Sequence, residues 1–205
     1  MKAKFLTIAT IITLATATFT TSFAADKNIK AQEEVSTVLS VAQINKIEIR
    51  GNVELFVSDG SADQVKVYNR YYAESAMVQN ENGVLRIASY TDKKLVVWVT
   101  AADLRAISAY DNAEVKSFGN LSKIDLDVTL NNNASAQLNL DAFKASITVN
   151  DRAKANISGN VNDCAIIRDQ SATLNQTGLV AVNKMEKTTN LFVQPKADVA
   201  NVATL

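Results

Sequence analysis

The chain has 205 residues, 47% of them apolar and 20% charged, with one Cys, one Pro and no His. Without His the commonest general base and zinc ligand are missing, and one Cys cannot build a disulfide, an iron–sulfur cluster or a thiolate zinc site. The 21 basic and 21 acidic residues balance, so nothing electrostatic points to a nucleic-acid partner, and the composition is that of a folded chain rather than a disordered one.

Lys2 and Lys4 open the chain and are followed by an apolar, Thr-rich run from Phe5 to Phe19. Ser22-Phe23-Ala24 then places small residues three and one positions before a cut after Ala24. This order reads as a secretory signal peptide over residues 1–24, because the run is shorter than the roughly 20 apolar residues of a membrane span and is broken by threonines. Once the signal is removed, no transmembrane segment is expected, and no Cys follows the cut to carry a lipid. Residues 25–34 are polar and read as a flexible arm.

From Val35 the chain turns to period-two patterns. Ile47 and Ile49 alternate with Lys46, Glu48 and Arg50; Val53, Leu55 and Val57 alternate with Glu54 and Phe56; Val65 and Val67 alternate with Gln64 and Lys66. Alternation of this kind puts one set of side chains on each face of a half-buried strand. Asn82-Gly83 stands between two apolar runs, the strongest short signal for a hairpin. Leu95 to Val99 is continuously apolar and suits a strand covered on both faces, with Trp98 in the core. No helical period emerges. The expectation is all-β, with an antiparallel-rich lobe over 35–103.

The second half repeats with a period of about 20 residues, each unit carrying two short strands and two turns. Ile107-Ser108-Ala109-Tyr110-Asp111, Val128-Thr129-Leu130-Asn131-Asn132, Ile147-Thr148-Val149-Asn150-Asp151 and Ala165-Ile166-Ile167-Arg168-Asp169 align. Each has apolar first and third positions and ends in Asp or Asn. A small residue then precedes an aliphatic one by two: Ala113 and Val115, Ala136 and Leu138, Ala155 and Ile157, Ala172 and Leu174. This is the pattern of a β-solenoid over residues 104–205, in which stacked windings create a core that no single winding could bury. Asn and Asp tolerate left-handed backbone angles, which accounts for so many turns with only 6 Gly. The alignment puts Ala109, Leu130, Val149 and Ile167 in one inward row. An antiparallel sandwich is the rival architecture.

The stretches Ile47-Glu48-Ile49-Arg50-Gly51-Asn52-Val53-Glu54-Leu55-Phe56-Val57, Asn82-Gly83-Val84-Leu85-Arg86-Ile87 and Val97-Trp98-Val99-Thr100, followed by the repeats, resemble the putative auto-transporter adhesin, head GIN domain family of exported bacterial proteins. The resemblance covers about residues 35–182. It implies a right-handed parallel β-helix-like fold, one head GIN-type domain over 35–205, and a Gram-negative envelope setting in the periplasm, at the cell surface or secreted. It also implies an adhesin-like or binding role, and it brings no catalytic residues. Where the family's turns are Ser-Gly-rich, this chain has Asp111-Asn112, Asn131-Asn132-Asn133 and Asp151-Arg152. The chain offers too little length for a membrane barrel beside the solenoid.

Candidate binding residues fall into two sets. Tyr68, Tyr71, Tyr72 and Tyr110 are rings that a stiff sheet could present to a glycan or an envelope protein with little loss of entropy. Asp151, Arg152, Arg168 and Asp169 fall on adjacent turns, where carboxylates and guanidinium groups would approach one another. The alternative function is an acidic-polysaccharide-acting enzyme using this Asp/Arg turn ladder. Stacked Asp111, Asn132, Asp151 and Asp169 supply oxygens suited to calcium, but the glycine-rich calcium nonapeptide is missing and Asx turns account for them, so no metal or other cofactor is expected. Cys164 has no His to activate it and reads as a buried, inert thiol. Open sheet edges make self-association a further expectation, with the stretch from Thr188, containing Pro195 and Lys196, as a cap.

Overall fold

The computed structural model describes residues 36–39, 41–68 and 76–189. The expected signal peptide over 1–24 and arm over 25–34, together with Tyr71, Tyr72, Pro195 and Lys196, lie outside the described residues.

The described chain consists of strands and turns, with no helix. In order the strands are β1 (Ser36–Leu39), β2 (Lys46–Gly51), β3 (Val53–Ser58), β4 (Gln64–Tyr68), β5 (Ala76–Glu81), β6 (Val84–Ser89) and β7 (Leu95–Thr100). They continue with β8 (Ala106–Ala109), β9 (Glu114–Ser117), β10 (Leu121–Leu130), β11 (Ser135–Val149), β12 (Lys154–Asp169) and β13 (Thr173–Thr189). All belong to one mixed sheet, whose main path runs β1-β4-β7-β3-β9-β11-β10-β8-β2-β6-β5. β2 and β3 are far apart on that path, yet only Asn52 separates them in the chain. The sheet therefore curls back on itself.

Paired segments gather into three stacks. In the first, β6, β2, β8 and the C-terminal parts of β10, β11, β12 and β13 run parallel. In the second, β7, β3, β9 and the N-terminal parts of β11, β12 and β13 do the same. The third joins the start of β10 to the middles of β11, β12 and β13. Antiparallel strands cover one end: β5 on β6, and β4 then β1 on β7.

The interior follows from register. Leu85, Ile47, Ile107, Val128, Ile147 and Ile166 are successive Cα partners through the first stack, and all are buried. Val97, Leu55, Val115, Ala136 and Ala155 do the same in the second. Each fully buried Val, Leu or Ile contributes roughly 1.5–3 kcal/mol by leaving water, so these columns hold the stacks together. Among the described residues no aromatic side chain is buried. Aliphatic and Ala side chains fill the inside, and every described ring lies on the outer surface or at a turn.

Several expectations need correction. Asn82 (φ 50) and Gly83 (φ 78) do form the turn of the antiparallel β5–β6 hairpin. Within 35–103 the antiparallel pairs β1–β4, β4–β7 and β5–β6 outnumber the parallel pairs β2–β6 and β3–β7, but β2, β3, β6 and β7 are also parallel members of the same stacks as the later repeats. Period-two alternation reports which face is buried and says nothing of a neighbour's direction. The β2–β3 winding also lies between the β6–β7 and β8–β9 windings, out of chain order. β7 is buried on one face only, and Trp98 stands on the other.

The first three repeats stack as aligned, Ile107 on Val128 on Ile147, but the fourth is displaced by one residue, with Ile147 opposite Ile166. Ala109, Leu130 and Val149 are buried, whereas Ile167 is 41% exposed. Cys164, Ala165, Ile166 and Ile167 are apolar at both parities, so the sequence pattern is ambiguous there, and a slip of one residue turns every side chain to the opposite face. Ala113 is two residues off its aligned row and so keeps its face: Val115, not Ala113, is the partner of Ala136, and both are buried.

Candidate functional site

Strand parity puts Phe56 of β3 and Trp98 of β7 on the outer surface, and parallel register makes them direct neighbours. Their rings stack with centroids 4.7 Å apart and planes 19° from parallel. Tyr68, at the end of β4, meets the Trp98 ring edge-on at 6.5 Å. Phe118, just after β9, tilts against Trp98 at 5.2 Å and is 63% exposed. Pairs of this kind contribute about 0.5–1.5 kcal/mol beyond area burial.

Charged residues border this cluster. Lys116 pairs with Glu54 and lies 3.5 Å from Glu114, which also bonds Lys94 at 2.7 Å. The Lys116 ammonium sits 5.6 Å from the centre of the Phe56 ring. Its hydrogen bond to Glu54 holds its pKa above the ordinary lysine value. The bond from Lys94 holds the Glu114 carboxyl below the usual range. Half-exposed pairs like these contribute at most about 1 kcal/mol each to stability, but they fix the charge pattern around the rings.

The turn residues form a second constellation. Asp111, Asn132 and Asp151 all have positive φ, at 62°, 61° and 56°. Their side chains link one winding to the next. Asp111 Oδ2 accepts from the Gly51 N–H at 3.2 Å, and its Oδ1 accepts from Asn132 Nδ2 at 3.0 Å. Asp151 Oδ2 accepts from the Asn132 N–H at 2.9 Å, and Asp169 Oδ2 from the Asp151 N–H at 2.8 Å. Asp169 is buried and also accepts from the Thr189 hydroxyl at 2.6 Å. That hydroxyl bond first, and the Asp151 N–H second, hold its carboxyl below the usual range.

The described residues among those singled out from sequence are thus dispersed. Asp151 and Asp169 do come together, through a backbone donor. Arg168 turns instead to Glu186, its Nε 3.2 Å from Oε1, and Arg152 is exposed with its N–H on the Asn132 carbonyl at 3.0 Å. Tyr110 lies at the β8–β9 turn with the Arg50 guanidinium 3.8 Å over its ring, while Tyr68 belongs to the aromatic cluster. Phe56, Trp98 and Phe118 were missed as site residues. Parity alone marks Phe56 as outward, but pairing it with Trp98 requires the β3–β7 register, which the intervening chain conceals.

Cys164 is buried, and that burial pushes its thiol pKa up. Among the described residues no group of three or more His, Cys, Asp or Glu side chains is placed to hold a metal ion. No helix among them is long and apolar enough to cross a membrane.

Among solved structures the chain is similar to a putative adhesin from Parabacteroides distasonis ATCC 8503, at 20% identity and TM-score 0.57, covering 76% of this chain and 78% of that one. A putative adhesin from Bacteroides fragilis NCTC 9343 matches at 11% identity and TM-score 0.51, covering 78% and 98%. A structure described as a putative lipid binding protein from Parabacteroides distasonis ATCC 8503 matches at 9% identity and TM-score 0.56, covering 76% and 79%. At these identities the likeness is one of fold. No curated protein matches the chain. The family model described as "Putative auto-transporter adhesin, head GIN domain" matches residues 43–186, and the chain belongs to that family.

Proposed function

We propose that this protein is an exported, non-enzymatic binding module of the bacterial cell envelope. We take its three stacks to be the walls of a right-handed parallel β-helix. Family membership, the near-constant offset between successive windings and the strong right-handed preference of parallel crossovers support that architecture. The observation that carries the binding role is the placement of Phe56, Trp98, Phe118 and Tyr68 together on the outer surface, with Lys116 beside Phe56 and paired in turn with Glu54 and Glu114, and Glu114 with Lys94. An apolar, aromatic centre with a charged border is the anatomy of a protein-binding hot spot.

The partner class that fits best is an envelope protein offering a small apolar pocket. A sugar ring stacks on an open aromatic face, whereas one face of Trp98 is taken by Phe56 and its surroundings by Phe118 and Tyr68. The acidic-polysaccharide enzyme reading draws no comparable support, since the Asp151 and Asp169 carboxylates each accept a backbone N–H of the preceding winding.

Comparing Phe118→Ser and Trp98→Ala with the unaltered protein, in affinity capture of envelope proteins and on a glycan array, tests this. The expected result is a specific protein partner whose affinity falls at least tenfold with Phe118→Ser, a loss of about 1.4 kcal/mol, with the fold intact by circular dichroism. Binding to a glycan that depends on these rings would replace the protein partner, and capture indifferent to both variants would remove the cluster from the function.

A further inference from the structure

The two ends of the sheet differ. One is covered by the antiparallel strands β5, β4 and β1. At the other, β13 is a 17-residue strand that pairs with β12 and, among the described residues, with nothing on its other side. An unpaired strand of this length is a template for another strand unless it is covered.

The inward positions of β13 have changed character. In the row Leu126, Ala145, Cys164 the next partner is Lys184, and in the row Val128, Ile147, Ile166 it is Glu186. Glu186 accepts from Arg168 Nε at 3.2 Å and from Gln176 Nε2 at 2.9 Å, and Lys184 stands 3.5 Å away. These contacts hold the Glu186 carboxyl below its ordinary pKa, the Gln176 bond foremost. A polar lid therefore closes the aliphatic interior, so an occupant of this end would pair with the backbone rather than fill a cavity. On the outer side of the same strand Val182 and Met185 are 75% and 67% exposed.

We propose that β13 is the docking edge for a second copy of this chain, the two edges pairing antiparallel about a two-fold axis that passes through Met185. The choice of occupant rests on charge. In that register residue 184 of one copy faces residue 186 of the other, so Lys184 meets a glutamate and Glu186 meets a lysine, twice over by symmetry. Met185 meets its own counterpart on the outer face, which removes exposed apolar surface of the strand from water. A register shifted by two residues, centred on Asn183 or Lys187, loses the double charge match.

Sedimentation velocity on the purified protein at roughly 100 μM, enough to populate a dimer of micromolar affinity, tests the proposal. The unaltered chain sediments as a dimer. Met185→Lys and Met185→Glu each set like charges opposite one another on the axis and sediment as monomers, with unchanged thermal melts because the side chain is exposed. An equimolar mixture of the two variants restores the dimer, a rescue specific to a residue that faces itself across a two-fold. A monomeric unaltered chain, or a dimer that persists in Met185→Lys, overturns the proposal. So does a monomer that dimerises only when the chain is cut after Thr189, which would give the edge to residues 190–205 of the same molecule.

Discussion

At the turns a single carboxylate satisfies the backbone of a neighbouring winding. Asp169 accepts both the Asp151 N–H and the Thr189 hydroxyl while itself buried. Asp169→Ala would leave the Asp151 N–H without its acceptor, while the Thr189 hydroxyl keeps the Arg168 carbonyl at 3.3 Å, and a donor left so costs about 1–3 kcal/mol when it cannot reach water. Equilibrium urea unfolding measures that loss directly, and a change within error would mean that water replaces the carboxylate. The same residue sets an acid limit. Its carboxyl titrates lower in the folded chain than in the unfolded one, where it sits near 3.9. The stabilisation it provides is therefore complete above about pH 5 and is lost as pH falls through the folded-state value. Glu48, Glu114 and Glu186 are shifted in the same direction by Lys46, Lys94 and Gln176 respectively, so they add to the decline. Asp169→Asn should flatten part of the slope of stability against pH below 5 and leave neutral pH as the point of greatest difference.

Within the long strands, the third stack depends on how closely windings approach. Gly159, inside β12, has φ +102°, and a Cβ built there would lie 2.0 Å from the Leu140 carbonyl oxygen. Gly119 also has positive φ, +81°, yet a Cβ there would meet nothing within 4 Å. Gly119→Ala should thus cost only the left-handed backbone penalty, about 1–2 kcal/mol. Gly159→Ala must also displace backbone between β11 and β12 and should cost clearly more, or fail to fold. Thermal melts of the two variants side by side give the ordering. Equal costs would mean that the β11–β12 spacing is more yielding than the register implies. Sequence marks both glycines as corners, but only the pairing of Gly159 with Leu140 tells that one is spatially crowded.

For the molecule as a whole, each parallel strand of the mixed sheet is held by the strands on either side of it. Ile147 lies between Val128 and Ile166 and is fully buried, whereas Leu174 on the terminal strand has a partner on one side and is half-buried. Ile147→Ala should cost about 2–5 kcal/mol, in the range of a large-to-small core change, and Leu174→Ala markedly less. In the monomeric Met185→Lys variant amide hydrogen exchange should follow the same gradient, with β10 to β12 slowest and β13 fastest among the parallel strands, and pairing of the β13 edge in the unaltered chain should slow β13. Uniform protection of β13 and β11 would show that the edge is covered in solution. The charged rows are a minor part of this stability, since most of the ion pairs are exposed. Lys123, with its side chain 6% exposed and 2.7 Å from Asp59, is the exception that pins β10 to the loop after β3.

Strand content, the Asn82-Gly83 hairpin, the left-handed turns at Asp111, Asn132 and Asp151 and the register of Ile107, Val128 and Ile147 are legible in the sequence. Each is a local matter of side-chain parity or backbone preference, and the motifs that carry the family resemblance lie within short stretches. Tertiary structure alone decided that the β2–β3 winding inserts between the β6–β7 and β8–β9 windings, that neighbours there run parallel, and that the last repeat slips by one residue. It also decided which rings meet, because Phe56 on β3, Trp98 on β7 and Phe118 just after β9 approach one another only once β3 pairs with both β7 and β9. The reason is physical. Periodicity records which side of a strand is dry, while the identity of the neighbour is set by how well whole windings pack, and that information is spread over the chain rather than written in any one segment.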